Sequence, residues 1–196
     1  MAKTFQSILN ITPREFYLQD TVIVAKNLLG KKIIRKTGNC KMSGIITETE
    51  AYKHKDDPAS HAFRKMTDRN KAMFGEVGFA YVYFTYGMHY CFNIVARNPK
   101  TAAGAVLIRA IEPENGIGQM QKNRGNASLK NLTNGPAKLT QALRITKEHY
   151  GVDLTKKSNI YIMEGENRSN RIISSPRIGI KEATDKLWNF KIEPKK

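Results

Sequence analysis

The chain of 196 residues is poor in cysteine, with only Cys40 and Cys91. With no C-x-x-C pair, neither a disulfide framework nor a zinc ribbon is expected. No apolar run reaches the roughly 18 residues that a membrane span requires. The opening stretch Met1-Ala2-Lys3-Thr4-Phe5-Gln6 has no apolar signal core. Together these gaps point to a reduced, intracellular protein with no membrane partner. The expected setting is the cytoplasm and nucleoid of a bacterium, or the nucleus of a eukaryote. The chain also lacks a P-loop, a G-x-S-x-G elbow and a dinucleotide fingerprint. His54 and His61 have no partners at metal-ligand spacing, so neither a metal nor another cofactor is expected.

Acid is the scarcest charge. Lys and Arg number 33 against 17 Asp and Glu, a formal net charge of +16. No carboxylate occurs between Val77 and Ile111, or between Asp20 and Glu48. A third acid-free stretch carries Lys122, Arg124, Lys130, Lys138, Arg144 and Lys147. Acid-free stretches suit contact with phosphates, so a polyanion is the expected partner, nucleic acid before an acidic membrane surface. Lys122, Arg124, Lys130 and Lys138 are the candidate backbone contacts.

The pattern predicts one domain over residues 1–196. Thr12-Pro13-Arg14-Glu15 reads as a capping box, and a helix is expected over 20–29, ended by Gly30. Strands are expected over 31–36, 43–52, 79–84, 89–96 and 104–111, the last stopped by Glu112-Pro113. Tyr86-Gly87 reads as the tight turn of a hairpin. Helices are expected over 67–74, 114–122 and 136–145, late strands over 159–163 and 177–180, and a mobile loop over 123–134. The fold class is mixed α/β (α+β), with a curved, largely antiparallel sheet surrounded by helices.

Two strands contain charges where apolar residues belong. Alternation puts Ile46, Glu48, Glu50 and Tyr52 on one face, and Arg109 on one face with Ala105, Leu107 and Ile111. A buried guanidinium needs a carboxylate partner, and Glu48 and Glu50 are the candidates. Such a cluster is either a plain buried ion pair or a pre-set base with Arg109 positioning its water. For the second reading Glu50, nearer Tyr52, is the choice, and Glu48 the structural partner. Tyr52, Tyr83 and His61 then supply flat walls for a planar group, with Asn93 as a polar test of it. Tyr86 and Met88, bulky residues on a hairpin tip, suit a wedge between stacked bases better than a free surface.

In order and spacing, several segments closely resemble the alkyladenine (3-methyladenine) DNA glycosylase family. They are Thr47-Glu48-Thr49-Glu50-Ala51-Tyr52, His61, the run from Tyr81 to Met88, Asn93, the run from Leu107 to Pro113, Asn134-Gly135-Pro136-Ala137-Lys138-Leu139, and Pro176-Arg177-Ile178-Gly179-Ile180. The resemblance spans about residues 16–190. It implies a monomeric, monofunctional glycosylase of base excision repair acting on double-stranded DNA. Such an enzyme flips out alkylated or deaminated purines of the 3-methyladenine, 7-methylguanine, hypoxanthine and ethenoadenine type. It hydrolyses the N-glycosidic bond without strand-cleaving lyase activity and leaves an abasic site. By resemblance Glu50 is the general base and Arg109 helps hold its water. Tyr52, His61 and Tyr83 are the stacking walls, and Asn93 obstructs the exocyclic amine of guanine. Tyr86 is the intercalating wedge, and Met88 and residues 135–138 lie against the DNA or the pocket. Position 89 is His where some relatives carry Tyr.

Two other readings fit parts of the pattern. A non-catalytic module for single-stranded nucleic acid explains the lysines and rings but not charges inside apolar strands. A small-molecule glycoside hydrolase needs a second, well-spaced carboxylate and leaves the net charge unexplained.

Overall fold

Strand alternation decides which face of this protein is stable and which is chemical. The computed structural model describes residues 10–165 and 171–193, so the opening stretch read for a signal core lies outside the described residues. Among the described residues eight strands form one sheet in which every pairing is antiparallel. They are β1 (Lys32–Thr37), β2 (Cys40–Lys53), β3 (Ala80–Thr85), β4 (His89–Val95), β5 (Gly104–Asn115), β6 (Ile160–Met163), β7 (Ile172–Ser175) and β8 (Asn189–Ile192). The order is β3-β4-β5-β2-β1-β6, and β8 pairs with both β2 and β7. Among the described residues three α-helices accompany the sheet: α1 (Thr21–Asn27), α2 (Ile117–Asn123) and α3 (Pro136–Ala142). This is the expected α+β architecture.

The long strand β2 is the spine. Its first half pairs with β1, its second half with β8 on the same edge, and β5 runs along its other edge. Helix α1 starts where the Asp20 side chain accepts a hydrogen bond from the Val22 amide, and it is followed by Gly30 at φ +85°. On one sheet face, Ile33, Ala51, Val82, Phe92, Ile94, Val106 and Ile108 pack with Val24, Leu28, Leu139 and Leu143 from the helices into the main core. The alternate residues of β2 to β5 face the other way. They include Glu50, Tyr52, Tyr81, Tyr83, Cys91, Asn93, Leu107 and Arg109.

Strict alternation fails at one place. Of the three register shifts between β2 and β5, the first lies at Ser43/Gly44, and two fall here, between Ile46 and Glu48 and between Glu48 and Thr49. They turn Ile46 and Ile111 into the main core, not onto the face of Glu50 and Arg109 as period-two reading had it. The bulge lets one continuous strand bury an isoleucine on the core face and two glutamates on the other.

Other departures have local causes. No side chain caps the turn Arg14–Tyr17: Pro13, not Thr12, holds the cap position, and the Thr12 amide donates to Ile162 O at the sheet edge. Over 67–74 only Lys71–Phe74 is helical, as a single 3-10 turn. The Asn70 amide preceding it donates to His61 O and Lys65 O and stabilises a loop instead. Strand β5 runs through Pro113 to Asn115. β4 pairs only as far as Leu107, so the missing proline N–H faces no strand. The loop over 123–134 is largely exposed, and its end is anchored where Leu132 and Thr133 are buried and Thr133 Oγ1 donates to Ile111 O. Residues 177–180 are not a strand but a turn that places buried Arg177. Strands β7 and β8 escape sequence reading because they are short and carry little alternation.

Gly44 sits at the first register shift. A Cβ there would lie 2.6 Å from the backbone oxygen of Glu112. Gly44→Ala should therefore destabilise the fold by about 1–3 kcal/mol, measured as a lower midpoint in urea unfolding; an unchanged midpoint would show that the bulge can open freely.

Candidate active site

A cavity of about 350 Å³ opens on the sheet face opposite the main core. Its floor comes from the strands, through Tyr52, Tyr81, Tyr83, Cys91, Asn93, Leu107 and Arg109. Its sides come from His61, the first residues of α3 (Pro136 and Ala137) and the turn at Ile178, Gly179 and Ile180. Tyr86 stands at the rim. The sheet thus unites predicted residues far apart along the chain: Glu50 and Arg109 are 59 positions apart and Glu48 and Arg109 61.

Behind this floor is the charge cluster. Arg109 donates from Nε to Glu48 Oε1 at 2.9 Å and from Nη1 to Glu50 Oε2 at 3.2 Å. Glu50 is fully buried and accepts four hydrogen bonds. Oε2 takes the Tyr52 hydroxyl and Arg109; Oε1 takes the Ile178 amide at 2.7 Å and Asn189 Nδ2 at 3.1 Å. Asn189 Nδ2 also donates to Glu48 Oε1. Three of these donors, Tyr52, Arg109 and Ile178, line the cavity, while Glu50 itself sits one layer behind them. Burial works against the Arg109 charge, but Glu50 and then Glu48 outweigh it and raise its pKa. With two carboxylates and one guanidinium, the cluster carries a net negative charge, which suits it to stabilise a cation formed in front of it.

The ring walls are not all parallel. His61 meets Tyr83 edge-to-face, with centroids 4.6 Å apart and planes at 75°. These two rings form one compound wall, and Tyr52 belongs to another part of the lining. His61 Nδ1 contacts the Tyr81 hydroxyl at 2.9 Å, which makes Tyr81 a wall residue that sequence reading overlooked. Burial, and then the nearby charge of Arg69, lowers the His61 pKa and favours the neutral imidazole near pH 7. Burial raises the pKa of Tyr81, Tyr83 and Tyr52, and at Tyr52 the Glu50 charge adds to the effect. All three phenols remain protonated donors. Asn93 is buried and donates to Tyr81 O, so its orientation is set by β3.

The hairpin tip projects. Tyr86 is 85% exposed and Met88 67%. Tyr86 has φ +51° beside Gly87 at +65°, a left-handed conformation unusual for an aromatic residue. Of the predicted backbone contacts, Lys122, Arg124, Lys130 and Lys138 all lie outside the cavity lining. Lys138 belongs to α3, whose first residues form the cavity wall, and bonds Asn134. Arg124 is turned onto Gln141. Arg69, which lies over the Tyr83 ring at 5.5 Å, is a basic residue nearer the cavity. Among the described residues, no group of three or more His, Cys, Asp or Glu side chains is placed to hold a metal ion. Among the described residues, no helix is long and apolar enough to cross a membrane.

Sequence reading also missed Asn189 and the pair that anchors the 176–180 turn. Arg177 and Asp57 are fully buried as side chains and joined by two hydrogen bonds of 2.8 and 2.6 Å; Arg177 also donates to Ala51 O. Its guanidinium lies under the Tyr52 ring at 4.7 Å. The pair therefore holds both Tyr52 and the Ile178 amide against Glu50. Arg177→Met leaves Asp57 buried and unpaired, and should cost about 3–5 kcal/mol. Arg177→Met with Asp57→Leu should recover much of that loss in chemical denaturation; equal losses in the two variants would mean the pairing is incidental.

The profile of the family described as Methylpurine-DNA glycosylase (MPG) matches residues 15–196. A protein of Carboxydothermus hydrogenoformans, provisionally named 3-methyladenine DNA glycosylase, is 47% identical over 95% of this chain and 97% of its own length. Proteins with the same provisional name from Clostridium acetobutylicum and Ehrlichia chaffeensis are each 44% identical. They cover 93% of this chain, and 94% and 93% of their own lengths. A match over nearly the whole chain, and over the strands and turn that build the cavity, shows that this chain belongs to the methylpurine-DNA glycosylase family, and so to the DNA glycosylases of base excision repair.

Proposed function

We propose that this glycosylase excises alkylated or deaminated purines after rotating the damaged nucleotide out of double-stranded DNA. The observation that carries the proposal is the buried Glu48–Arg109–Glu50 cluster set directly behind an aromatic cavity with an exposed Tyr86 at its rim. A base inside a duplex is beyond the reach of a protein carboxylate, so it must leave the stack, at a cost of a few kcal/mol that is smallest for a damaged base. Tyr86 and Met88 enter the space left behind and offset part of that cost. The base lies against Tyr52 and against the His61–Tyr83 wall, with Asn93 positioned against an exocyclic amine such as that of guanine.

Departure of the base gives the sugar oxocarbenium character. The net negative cluster stabilises that charge, and Glu50 removes a proton from the attacking water while Arg109 positions it. Each Glu50 oxygen already holds two donors, which fills the acceptor capacity of a carboxylate. Water therefore has to take the place of one donor. Arg109 and Asn189 are held in strands, and the Arg177–Asp57 pair holds the Tyr52 ring and the Ile178 amide; the Tyr52 hydroxyl can turn its O–H away without moving the ring, so it is the donor best able to yield. A purine methylated at N3 or N7 is already a cationic leaving group and needs little acid assistance. Hypoxanthine is neutral and needs protonation, so the two substrates should differ in pH optimum. No lysine nucleophile is required, and the product is an intact strand with an abasic site.

Glu50→Gln keeps the shape and removes the base. It should abolish excision from a hypoxanthine-containing duplex, a loss of at least about 10²-fold, while binding to that duplex largely survives; near-normal release of base would remove Glu50 from the mechanism. Tyr86→Ala should lower the flipped population, read from the emission of a fluorescent lesion base, and weaken affinity for damaged duplex; unchanged emission would count against the wedge.

A further inference from the structure

A second cavity lies behind Tyr52, separated from the first by the Arg177 guanidinium. Arg177 Cζ is 4.7 Å from the Tyr52 ring centroid and 5.1 Å from that of Trp188. Tyr52 lines the candidate active site, whereas Trp188 lines a separate hollow of about 500 Å³. The end of β2, the turn that follows it and the β4–β5 connection build this hollow, and Lys53, Lys55, Lys100 and Lys186 surround it. Asp56 is the single carboxylate among its lining residues.

Ammonium groups gathered around one hollow repel each other unless anions neutralise them. Asp20 does so for Lys53, at 2.7 Å. Among the described residues, no carboxylate forms an ion pair with Lys55, Lys100 or Lys186. The indole already has cations over it: Lys186 Nζ at 4.7 Å and Lys53 Nζ at 5.7 Å, besides Arg177. Trp188 thus arranges positive charge toward the hollow by cation–π attraction and offers little free face for stacking a base. Ammonium donors without acceptors, beside an occupied ring, recognise the oxygens of an anion and not the edges of a base.

The geometry points to this hollow as a binding site for a backbone phosphate of DNA, distinct from the cavity that receives the damaged nucleotide. Lys100 lies beyond the far end of β4 from the Tyr86 tip. The seven residues of β4 span about 23 Å between the tip and the start of the connection that carries Lys100, so the phosphate it meets is not the one at the wedge. Contact there is independent of sequence and of damage. It adds to affinity for undamaged DNA without touching the reacting atoms. The inference rests on DNA being the substrate, as the family membership indicates.

Trp188 is the chain's single tryptophan, so its emission reports on this hollow. Undamaged duplex DNA should change that emission, and the double variant Lys100→Glu, Lys186→Glu should lose the response. The same variant should bind undamaged duplex several-fold more weakly and lower the slope of log affinity against log salt by about one to two. Its single-turnover excision at saturating enzyme should match that of the unsubstituted chain, which also verifies folding. Inorganic phosphate is the second probe. Emission that responds to phosphate but not to duplex overturns the assignment to DNA in favour of a free anion. Emission that responds to neither, or a salt slope unaffected by the substitutions, overturns the site itself. Absence of excision by the unsubstituted chain would count against the glycosylase chemistry alone and leave the emission result to decide this site.

Discussion

The cluster of Glu48, Arg109 and Glu50 is the constraint to which the rest of the structure is fitted. Removing two carboxylates and a guanidinium from water costs more than their attraction returns unless each polar atom is also hydrogen-bonded. The chain meets that demand from four places: Tyr52 on the same strand, Arg109 across the ladder, Asn189 on β8, and the Ile178 amide on a late turn. The turn is fixed in its own right by the buried Arg177–Asp57 pair. One ion pair therefore supports another, and Tyr52 lies between them.

The sheet divides its two faces between stability and chemistry. On the core face β2 to β5 contribute isoleucine, valine, alanine and phenylalanine, packed by α1 and α3. On the opposite face the same strands present tyrosines, Asn93 and the charge cluster. Rigid strands hold these groups at defined positions, as a site that must discriminate one damaged base requires. The hairpin tip carries backbone strain, since Tyr86 has a positive φ there, as do Lys55, Asp56, Asn126, Arg144 and Ala183 in other turns. A left-handed tyrosine costs about 1–2 kcal/mol, and here the cost accompanies projection of the ring away from the sheet.

The overall charge and the site charge have opposite signs. A net charge of +16 draws the whole molecule to a polyanion, while the buried cluster behind the cavity is net negative and favours a cationic sugar or base. Attraction at long range and selectivity at short range thus reside in different residues. The lysines around Trp188 belong to the first group and lie apart from the aromatic cavity.

Much of this was legible in the chain. Arg109 inside an apolar run demanded a partner, and Glu48 and Glu50 proved to be in contact with it. The hairpin at Tyr86-Gly87 and the spacing of Tyr52, His61, Tyr83 and Asn93 indicated a ring-lined pocket, which these residues do line. Periodicity carried these predictions because strand alternation is a local property, set by the backbone of a few consecutive residues. Other features had no local signal. The bulge that turns Ile46 and Ile111 into the core depends on the pairing of β2 with β5. Asn189, the Asp57–Arg177 pair and the position of Glu50 one layer behind the cavity arise where segments more than a hundred residues apart meet. Composition and local pattern therefore determined the class of fold, the charge and several of the residues facing the cavity. Only the tertiary structure decided how the buried acid is satisfied, because hydrogen-bond partners for a desolvated charge are chosen by proximity in space and leave no mark on spacing along the chain.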